Sequence, residues 1–182
     1  MNVFGQRTHL RPTRHEDLTF LQALWNDGEV MRYKGYPQGM HVTDACMEQW
    51  WAMTPQARTS GRSTSPLASP HCVIELLDGT LIGELSYSVD AQQRALIDLK
   101  LASSYRGQGL AAEILRIVLR ELFAATHVKK VMMEPSPANI AALHLLEHCG
   151  FHPAPTENHP DRWECSRSDF AGRKTSLLAG VI

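Results

Sequence analysis

The turn Tyr105-Arg106-Gly107-Gln108-Gly109-Leu110-Ala111-Ala112 joins a predicted strand to the longest predicted helix of the chain. Glycines let the backbone approach a ligand without a clashing Cβ atom. The first N–H groups of a helix have no partner within the helix, and the helix dipole adds positive potential there. The turn therefore predicts an anion site suited to a pyrophosphate, and a glycine turn without any ligand is the alternative.

Two nucleotide-binding motifs fit this turn poorly. The lysine and the Ser or Thr of the triphosphate loop, G-K-[ST], are missing. The dinucleotide fingerprint G-x-G-x-x-G would need a third glycine at Ala112, although alanine is sometimes accepted at that position. A nucleotide-binding module is therefore the less favoured interpretation.

Apolar periodicity predicts the elements around the turn. Upstream, strands over His71–Leu77 and Leu81–Val89 flank an Asp78-Gly79 hairpin turn, and Arg94–Leu101 alternates as a third strand. Downstream lie a helix over Gly107–Ala125, a strand over Lys129–Glu134, a helix from Ser136 to Gly150, and short strands over Phe151–Ala154 and Arg162–Ser166. The N-terminal part contains a strand over Thr8–Pro12, a capping box from Thr13 to Glu16, a helix that ends before Gly28, and a helix capped by Thr43. This order predicts a single-domain α/β fold, in which helices flank both faces of a mixed β-sheet.

Length and composition limit the class of protein. The 182 residues predict one domain over residues 1–182, and 43% hydrophobic with 20% charged residues is ordinary for a globular chain. The net charge of -1 argues against nucleic acid or a membrane surface as a partner. No apolar run is long enough to span a membrane, the N-terminus lacks a signal-peptide core, and the four cysteines form no C-x-x-C pair. We therefore expect a cytoplasmic protein with free thiols. Residues 54–70, which are rich in Ser, Thr, Pro, Gly and Arg, predict a flexible loop.

Two motifs together point to a family. Arg106-x-x-Gly109-x-Ala111 resembles the acyl-coenzyme-A loop, Q/R-x-x-G-x-G/A, of the GNAT N-acetyltransferase superfamily. Further on, the segment that begins at Asn139 and ends in Gly150-Phe151 resembles the asparagine-led helix of the same family. The segments Leu10-Arg11-Pro12, Trp25-Asn26-Asp27 and Glu164–Phe170 are similar to the branch that includes ribosomal-protein N-terminal, spermidine and aminoglycoside acetyltransferases.

The resemblance implies a splayed mixed sheet and direct transfer of an acetyl group from acetyl-coenzyme A to a primary amine, without a covalent enzyme intermediate. It also implies which residues contact the cofactor. By family analogy, the backbone at Leu99 and Leu101 pairs with the pantetheine arm, and Asn139 contacts the cofactor from the second helix. The pyrophosphate would be held by the backbone amides of Arg106, Gly107, Gln108, Gly109, Leu110 and Ala111.

One position departs from the family pattern. Seven residues after the asparagine, where the family often has a tyrosine that protonates the leaving thiolate, this chain has Leu146. Cys149 or His144 are alternative proton donors, or the thiolate leaves as the anion. Positioning alone can supply roughly 7–11 kcal/mol, whereas a general acid adds only about 10²–10⁴-fold. The missing tyrosine also motivates the alternative function, a non-catalytic acyl-coenzyme-A-binding sensor or regulatory module.

Glu84 and Asp98 are the candidate catalytic residues, as bases that take the proton of the acceptor amine directly or through water. Both lie on predicted strands, where an unpaired carboxylate is costly to bury. For Asp98 the alternative is a structural ion pair with Lys100 or Arg94. An even number of loop residues between the two strands would place the two carboxylates on opposite faces of the sheet, and an odd number would make them converge.

A metal site is not expected. His144, His148, Cys149 and His152 lie close in sequence, but the partnering Glu of H-E-x-x-H is missing.

The acceptor remains open at the level of sequence. A small-molecule amine and a protein N-terminus are both consistent with the branch, and a monomer or a homodimer is equally consistent. A polycationic acceptor would need an acidic pocket, for which Asp27, Glu29, Asp44 and Glu48 are candidates, unless they are ordinary surface residues.

Overall fold

The structure is a computed structural model that describes residues 1–54, 70–125 and 127–171. Nearly all of the predicted loop at 54–70 lies outside these residues. In the described part of the chain, no helix is both long enough and apolar enough to cross a membrane.

The described residues contain eight strands and five α-helices with both ends defined, and residues 167–171 are helical as well. The strands are β1 (Val3–Phe4), β2 (Thr8–Pro12), β3 (His71–Leu76), β4 (Leu81–Val89), β5 (Arg94–Leu101), β6 (Lys130–Met133), β7 (His152–Pro153) and β8 (Trp163–Ser166). The helices are α1 (Leu18–Asn26), α2 (Gly28–Met31), α3 (Asp44–Met53), α4 (Leu110–Ala125) and α5 (Ile140–Cys149).

The strands form one mixed sheet in the order β1-β2-β3-β4-β5-β6-β8-β7, which confirms the expected α/β class. β5 and β6 are parallel, whereas β2, β3 and β4 are antiparallel neighbours. The chain divides into two compact units, the first made of Met1–Ser88 and Asp98–Leu110, the second of Val89–Ile97 and the described residues from Ala111 onward. β5 contributes residues to both units.

The first unit packs α1 and α3 around an apolar cluster. Leu18, Leu21 and Leu24 recur at helical spacing and are the buried residues of α1, as their periodicity predicts. Leu18 and Leu21 share a cluster with Met47 of α3 and Val73 of β3. This cluster anchors the helices whose other side chains reach the polar residues described below.

The second unit has its own buried residues on α4, β6 and α5. Along α4, the fully buried side chains Ile114, Leu115, Val118, Leu119 and Leu122 repeat with the period of a helix. The parallel pair of β5 and β6 places Ala95 opposite Val131.

The N-terminal helix cap differs from the prediction by one residue. The cap lies at Arg14–Asp17 instead of Thr13–Glu16, because the Arg14 backbone N–H donates to the Asp17 carboxylate at 2.7 Å. The same carboxylate accepts two hydrogen bonds from the guanidinium of Arg11, at 2.8 and 2.9 Å, in a buried pair. The Thr13 hydroxyl lies instead 2.8 Å from Nδ1 of His71.

The predicted starts of two other helices were also too early. α4 begins at Leu110 and not at Gly107, since Gly107 and Gly109 have positive φ angles of 71° and 76°. α5 begins at Ile140 and not at Pro137, because Asn139 and not Ser136 caps it, its side chain accepting from the Ala142 N–H at 3.2 Å. Gly150 ends α5 with φ of 95°, as predicted.

Candidate active site

A buried carboxylate lies at the centre of the polar part of the first unit. Glu84 on β4 is only 2% exposed. Its Oε1 accepts from Nζ of Lys100 at 2.7 Å, and its Oε2 accepts from Nε1 of Trp25 at 2.8 Å. Nε2 of His71 lies 3.0 Å from Oε2. A charge at this depth requires such partners, because its desolvation is otherwise uncompensated.

The β4–β5 hairpin explains why the predicted acids converge. The Asp90 N–H donates to the Arg94 carbonyl at 3.0 Å, which leaves three residues, 91–93, in the turn. Because this number is odd, Asp98 and Glu84 share a face of the sheet. Nζ of Lys100 accordingly lies 2.7 Å from a carboxylate oxygen of each.

Asp98 forms the exposed end of this cluster. Its Oδ2 accepts from Lys100, and its Oδ1 lies 2.9 Å from Nζ of Lys34. The side chain of Asp98 is 35% exposed and that of Lys34 is 45% exposed. The structural partner expected for Asp98 is thus present at Lys100, whereas Arg94 pairs with Asp90 instead. We call Glu84, Lys100 and Asp98 the carboxylate cluster.

The charges of the carboxylate cluster stabilise one another. Burial alone would raise the pKa of Glu84, but the hydrogen bond from His71 and the charge of Lys100 outweigh it and lower the pKa to about 2. Burial opposes ionisation of Asp98 in the same way, and the charges of Lys100 and Lys34 lower its pKa. For Lys100, burial is outweighed by the two carboxylates, which raise its pKa. At neutral pH the cluster therefore contains two negative charges and one positive charge.

His71 and Trp25 are functional candidates that sequence reasoning missed. A neutral His71 satisfies both of its ring contacts, because Nε2–H can donate to Glu84 while Nδ1 accepts from the Thr13 hydroxyl. The ring of Trp50 packs edge-on against His71, with 4.9 Å between centroids. A histidine directly before the apolar run of residues 72–74 was the available sequence signal, since a buried polar residue needs a partner.

Two arginines donate hydrogen bonds that hold the glycine-rich turn. The guanidinium of Arg106 donates to the carbonyls of Leu101 at 3.3 Å and Glu29 at 3.1 Å. Nη1 of Arg7 donates to the Gln108 carbonyl at 3.0 Å. Arg7 does not belong to a sequence motif, and it was not predicted as a site residue.

This turn fits an anionic group. A Cβ atom at Gly107 would meet nothing within 4 Å, so the space beside it is open, and one at Gly109 would lie 3.5 Å from Nη2 of Arg7. Sixteen residues of helix α4 follow directly, with their N-terminal N–H groups at the turn. Open space, a guanidinium and a helix N-terminus are the features that a pyrophosphate requires.

The remaining predicted residues occupy simpler positions. Leu99 and Leu101 lie on β5 beside the carboxylate cluster, and Leu101 accepts from Arg106 through its carbonyl. Ala111 lies in the first turn of α4. The side-chain oxygen of Asn139 caps α5, so a contact with a ligand would use its amide nitrogen.

Leu146 is a packed, buried residue, and its position has no space left for a side chain that would act as the general acid. It is 1% exposed, and Cys149 one turn later is buried as well. His144 and His148 are exposed, and Nε2 of His148 lies 2.6 Å from the guanidinium of Arg116. Among the residues that the structure describes, no group of three or more His, Cys, Asp or Glu side chains is arranged to hold a metal ion.

The acids considered for a cationic pocket have local roles. Asp27 caps α2, and Asp44 accepts from Gln22 at 2.7 Å. Glu29 pairs with Arg32, and Glu48 pairs with His15. Glu84 and Asp98 differ from these four acids, because both pair with the largely buried ammonium of Lys100.

Comparison with known proteins agrees with this geometry. The model of the Acetyltransferase (GNAT) domain matches residues 7–152. An aminoglycoside N(6')-acetyltransferase type 1 from Klebsiella pneumoniae is 32% identical over 160 residues, which cover 84% of this chain and 77% of the relative. A kanamycin resistance protein from Rhizobium radiobacter is 36% identical over 66 residues, which cover 36% of this chain and 61% of that protein.

Solved structures show the same fold. A spermidine N-acetyltransferase from Vibrio cholerae, in complex with coenzyme A and spermine, superimposes with a TM-score of 0.71 at 21% identity, covering 90% of this chain and 98% of that one. An aminoglycoside acetyltransferase in complex with coenzyme A and kanamycin gives 0.72 at 21% identity, covering 92% and 99%.

These matches define the class of protein: the chain belongs to the GNAT acetyltransferase family. It is an N-acetyltransferase that uses acetyl-coenzyme A as its cosubstrate.

Proposed function

We propose that the acceptor is a small polycationic amine of the aminoglycoside or polyamine class, and that its reacting ammonium group docks on Asp98. The observation that carries the proposal is the carboxylate cluster, in which two ionised acids share the single buried ammonium of Lys100. The cluster is partly exposed at Asp98, whose side chain is 35% exposed, and this is where we propose that the ligand enters. The names of the relatives, which acetylate aminoglycosides or spermidine, support the same class of acceptor.

The two acids have different parts in this proposal. Asp98 contacts the acceptor nitrogen and takes its proton, directly or through water. Because the pKa of Asp98 is low, the proton passes on to solvent and does not stay on the carboxylate. Glu84 is buried and fully hydrogen-bonded, so it acts through Lys100 by holding the ammonium that positions Asp98.

The cosubstrate is held by the residues that the sequence predicted. The amides from Arg106 to Ala111 bind the pyrophosphate, with Arg7 added beside Gly109. The backbone at Leu99 and Leu101 pairs with the pantetheine arm, and the amide nitrogen of Asn139 supplies a further contact. These assignments are proposals, supported by the open space and positive potential at the turn.

The transfer itself needs few groups from the protein. The neutral acceptor nitrogen attacks the thioester carbonyl, a C–N bond replaces the C–S bond, sulfur leaves with its electron pair, and the nitrogen loses its second proton to solvent. Because Leu146 and Cys149 are buried, we propose that the thiolate leaves as the anion and is protonated by solvent. Positioning of the acceptor nitrogen against the thioester then supplies most of the rate enhancement. We place this reaction in the cytoplasm, where acetyl-coenzyme A is available. We propose that the active form of the enzyme is a monomer or a homodimer.

The experiment is release of free thiol from acetyl-coenzyme A over a graded set of amines. The set comprises kanamycin, spermidine, butylamine and a short peptide with a free N-terminus. We expect kcat/KM to be highest for the two polycations. A preference for the peptide or for butylamine would overturn the acceptor class, and binding of coenzyme A without turnover of any amine would favour a sensor.

A further inference from the structure

Lys34 provides an ammonium group where the acceptor ammonium would dock. It ends the short helical turn Arg32–Lys34, which follows α2, and its side chain extends to β5. Its Nζ lies 2.9 Å from Oδ1 of Asp98, while Oδ2 of the same carboxylate is occupied by Lys100. Oδ1 is therefore the oxygen through which Asp98 can receive another cation.

Lys34 and Lys100 differ in how firmly they are held. Lys100 is largely buried between two carboxylates, 2.7 Å from each. Lys34 reaches Asp98 from an exposed position, with a long flexible stem. A partly exposed ion pair of this kind contributes less free energy than a buried one, because water still reaches both charges and the side chain loses entropy on pairing. A ligand can thus displace Lys34 at low cost, whereas displacing Lys100 would leave a buried charge unpaired.

The carboxylate cluster leaves room for one further cation. Its two carboxylates and Lys100 sum to one negative charge in excess, and Lys34 supplies an opposite charge 2.9 Å from Asp98. An acceptor ammonium carries the same charge and donates hydrogen bonds in the same way.

From this geometry we infer that Lys34 is an intramolecular competitor of the acceptor, exchanging with its reacting ammonium at Asp98. This inference rests on the proposed docking of the acceptor. Acetylation converts the ammonium into an uncharged amide, which no longer pairs with a carboxylate. Lys34 then returns to Asp98 and favours release of the product.

The test measures the dissociation constant of kanamycin by calorimetry in the presence of coenzyme A. Lys34→Met keeps the length of the side chain and removes its charge. We expect this variant to bind kanamycin about two- to fivefold more tightly than the native enzyme, the range that an exposed ion pair supplies. Arg32→Met is the matched control, because it removes a neighbouring exposed charge that pairs with Glu29 and not with Asp98. Its dissociation constant is expected to change less than that of Lys34→Met.

A double-variant cycle separates the two proposals. In an Asp98→Asn background, Lys34→Met is expected to give no further gain, because the group for which Lys34 competes is gone. If Asp98→Asn alone weakens kanamycin binding but Lys34→Met binds no more tightly than Arg32→Met, the exchange is wrong and the docking stands. If Asp98→Asn binds kanamycin as the native enzyme does, the docking itself is wrong. Should Lys34→Met fail to fold, Lys34→Gln replaces it in the same cycle.

Discussion

Glu84, as a single residue, combines deep burial with three N–H partners from α1, β3 and β5. Its pKa is about 2 in the folded protein, against an ordinary value of 4.5. A depressed pKa means that the ionised group stabilises the fold. This contribution is complete above the unfolded pKa of 4.5 and is lost as the pH falls from 4.5 towards 2.

Replacement of Glu84 is expected to remove this dependence on pH. We predict that Glu84→Gln lowers the free energy of unfolding at pH 7 by about 3 kcal/mol, because it leaves Lys100 without one of its carboxylates. Urea unfolding at pH 7, 4.5 and 3 measures the difference from the native protein, which should shrink at the lowest pH. Glu16→Gln, at an exposed ion pair with Arg14, is the control and should have little effect. A difference that is constant over this range would show that the charge of Glu84 is not what stabilises the fold.

Gly109 is the residue at which the cosubstrate site is tested most simply. Its φ of 76° strains any residue with a branched side chain, and a larger group would fill the space beside Arg7. We predict that Gly109→Val weakens coenzyme A binding by about tenfold or more. Gly79→Val is the matched control, because Gly79 has a similar φ of 87° in the turn between β3 and β4. Equal affinities of the two variants in calorimetry would show that the turn at Gly107–Gly109 does not bind the pyrophosphate.

At the scale of elements, the pairing of β4 with β5 depends on Gly83. A Cβ atom there would lie 2.2 Å from the carbonyl oxygen of Lys100, closer than real atoms approach. We predict that Gly83→Ala separates the two strands locally and lowers stability by about 1–3 kcal/mol. Because Lys100 is the displaced residue, acetyl transfer should fall as well.

The control for Gly83 is Ser88→Ala, an exposed position on the same strand. Thermal unfolding and initial rates with kanamycin are measured for both variants. Native stability and rate in Gly83→Ala would mean that β4 and β5 pair differently near Lys100.

Strands were more predictable from the sequence than helix ends. The alternation in Arg94–Leu101 and the turn signals beside Leu81–Val89 predicted both strands with the observed bounds. The helix starts depended on contacts that local patterns do not contain. Asp17 is the capping residue because it also pairs with Arg11. The Thr13 hydroxyl contacts His71 and does not cap the helix.

The site was predictable only where its residues lie close in sequence. Asp98 and Lys100 share a strand, and Glu84 lies on the adjoining one, so charge on these strands was enough to name both acids as candidates, whereas parity left their convergence open. The contact of Trp25 with Glu84 joins residues 59 apart, and that of Arg7 with Gln108 joins residues 101 apart. Such contacts follow from tertiary packing, which no local pattern reveals.

At the scale of the whole molecule, the net charge of -1 is too small to attract a polycation over long distances. Affinity for a cationic acceptor must then come from the local excess of negative charge at the carboxylate cluster. The central claim is therefore that one partly exposed carboxylate, that of Asp98, is required for acetyl transfer.

The measurement that tests this claim is kcat/KM for kanamycin with Asp98→Asn. The claim predicts a loss of about 10²-fold or more, with the affinity for coenzyme A unchanged within about twofold. Asp90→Asn is the matched control, because Asp90 is also paired with a basic residue and its side chain is 33% exposed, against 35% for Asp98. An Asp98→Asn enzyme that acetylates kanamycin as well as the Asp90→Asn enzyme would contradict the claim.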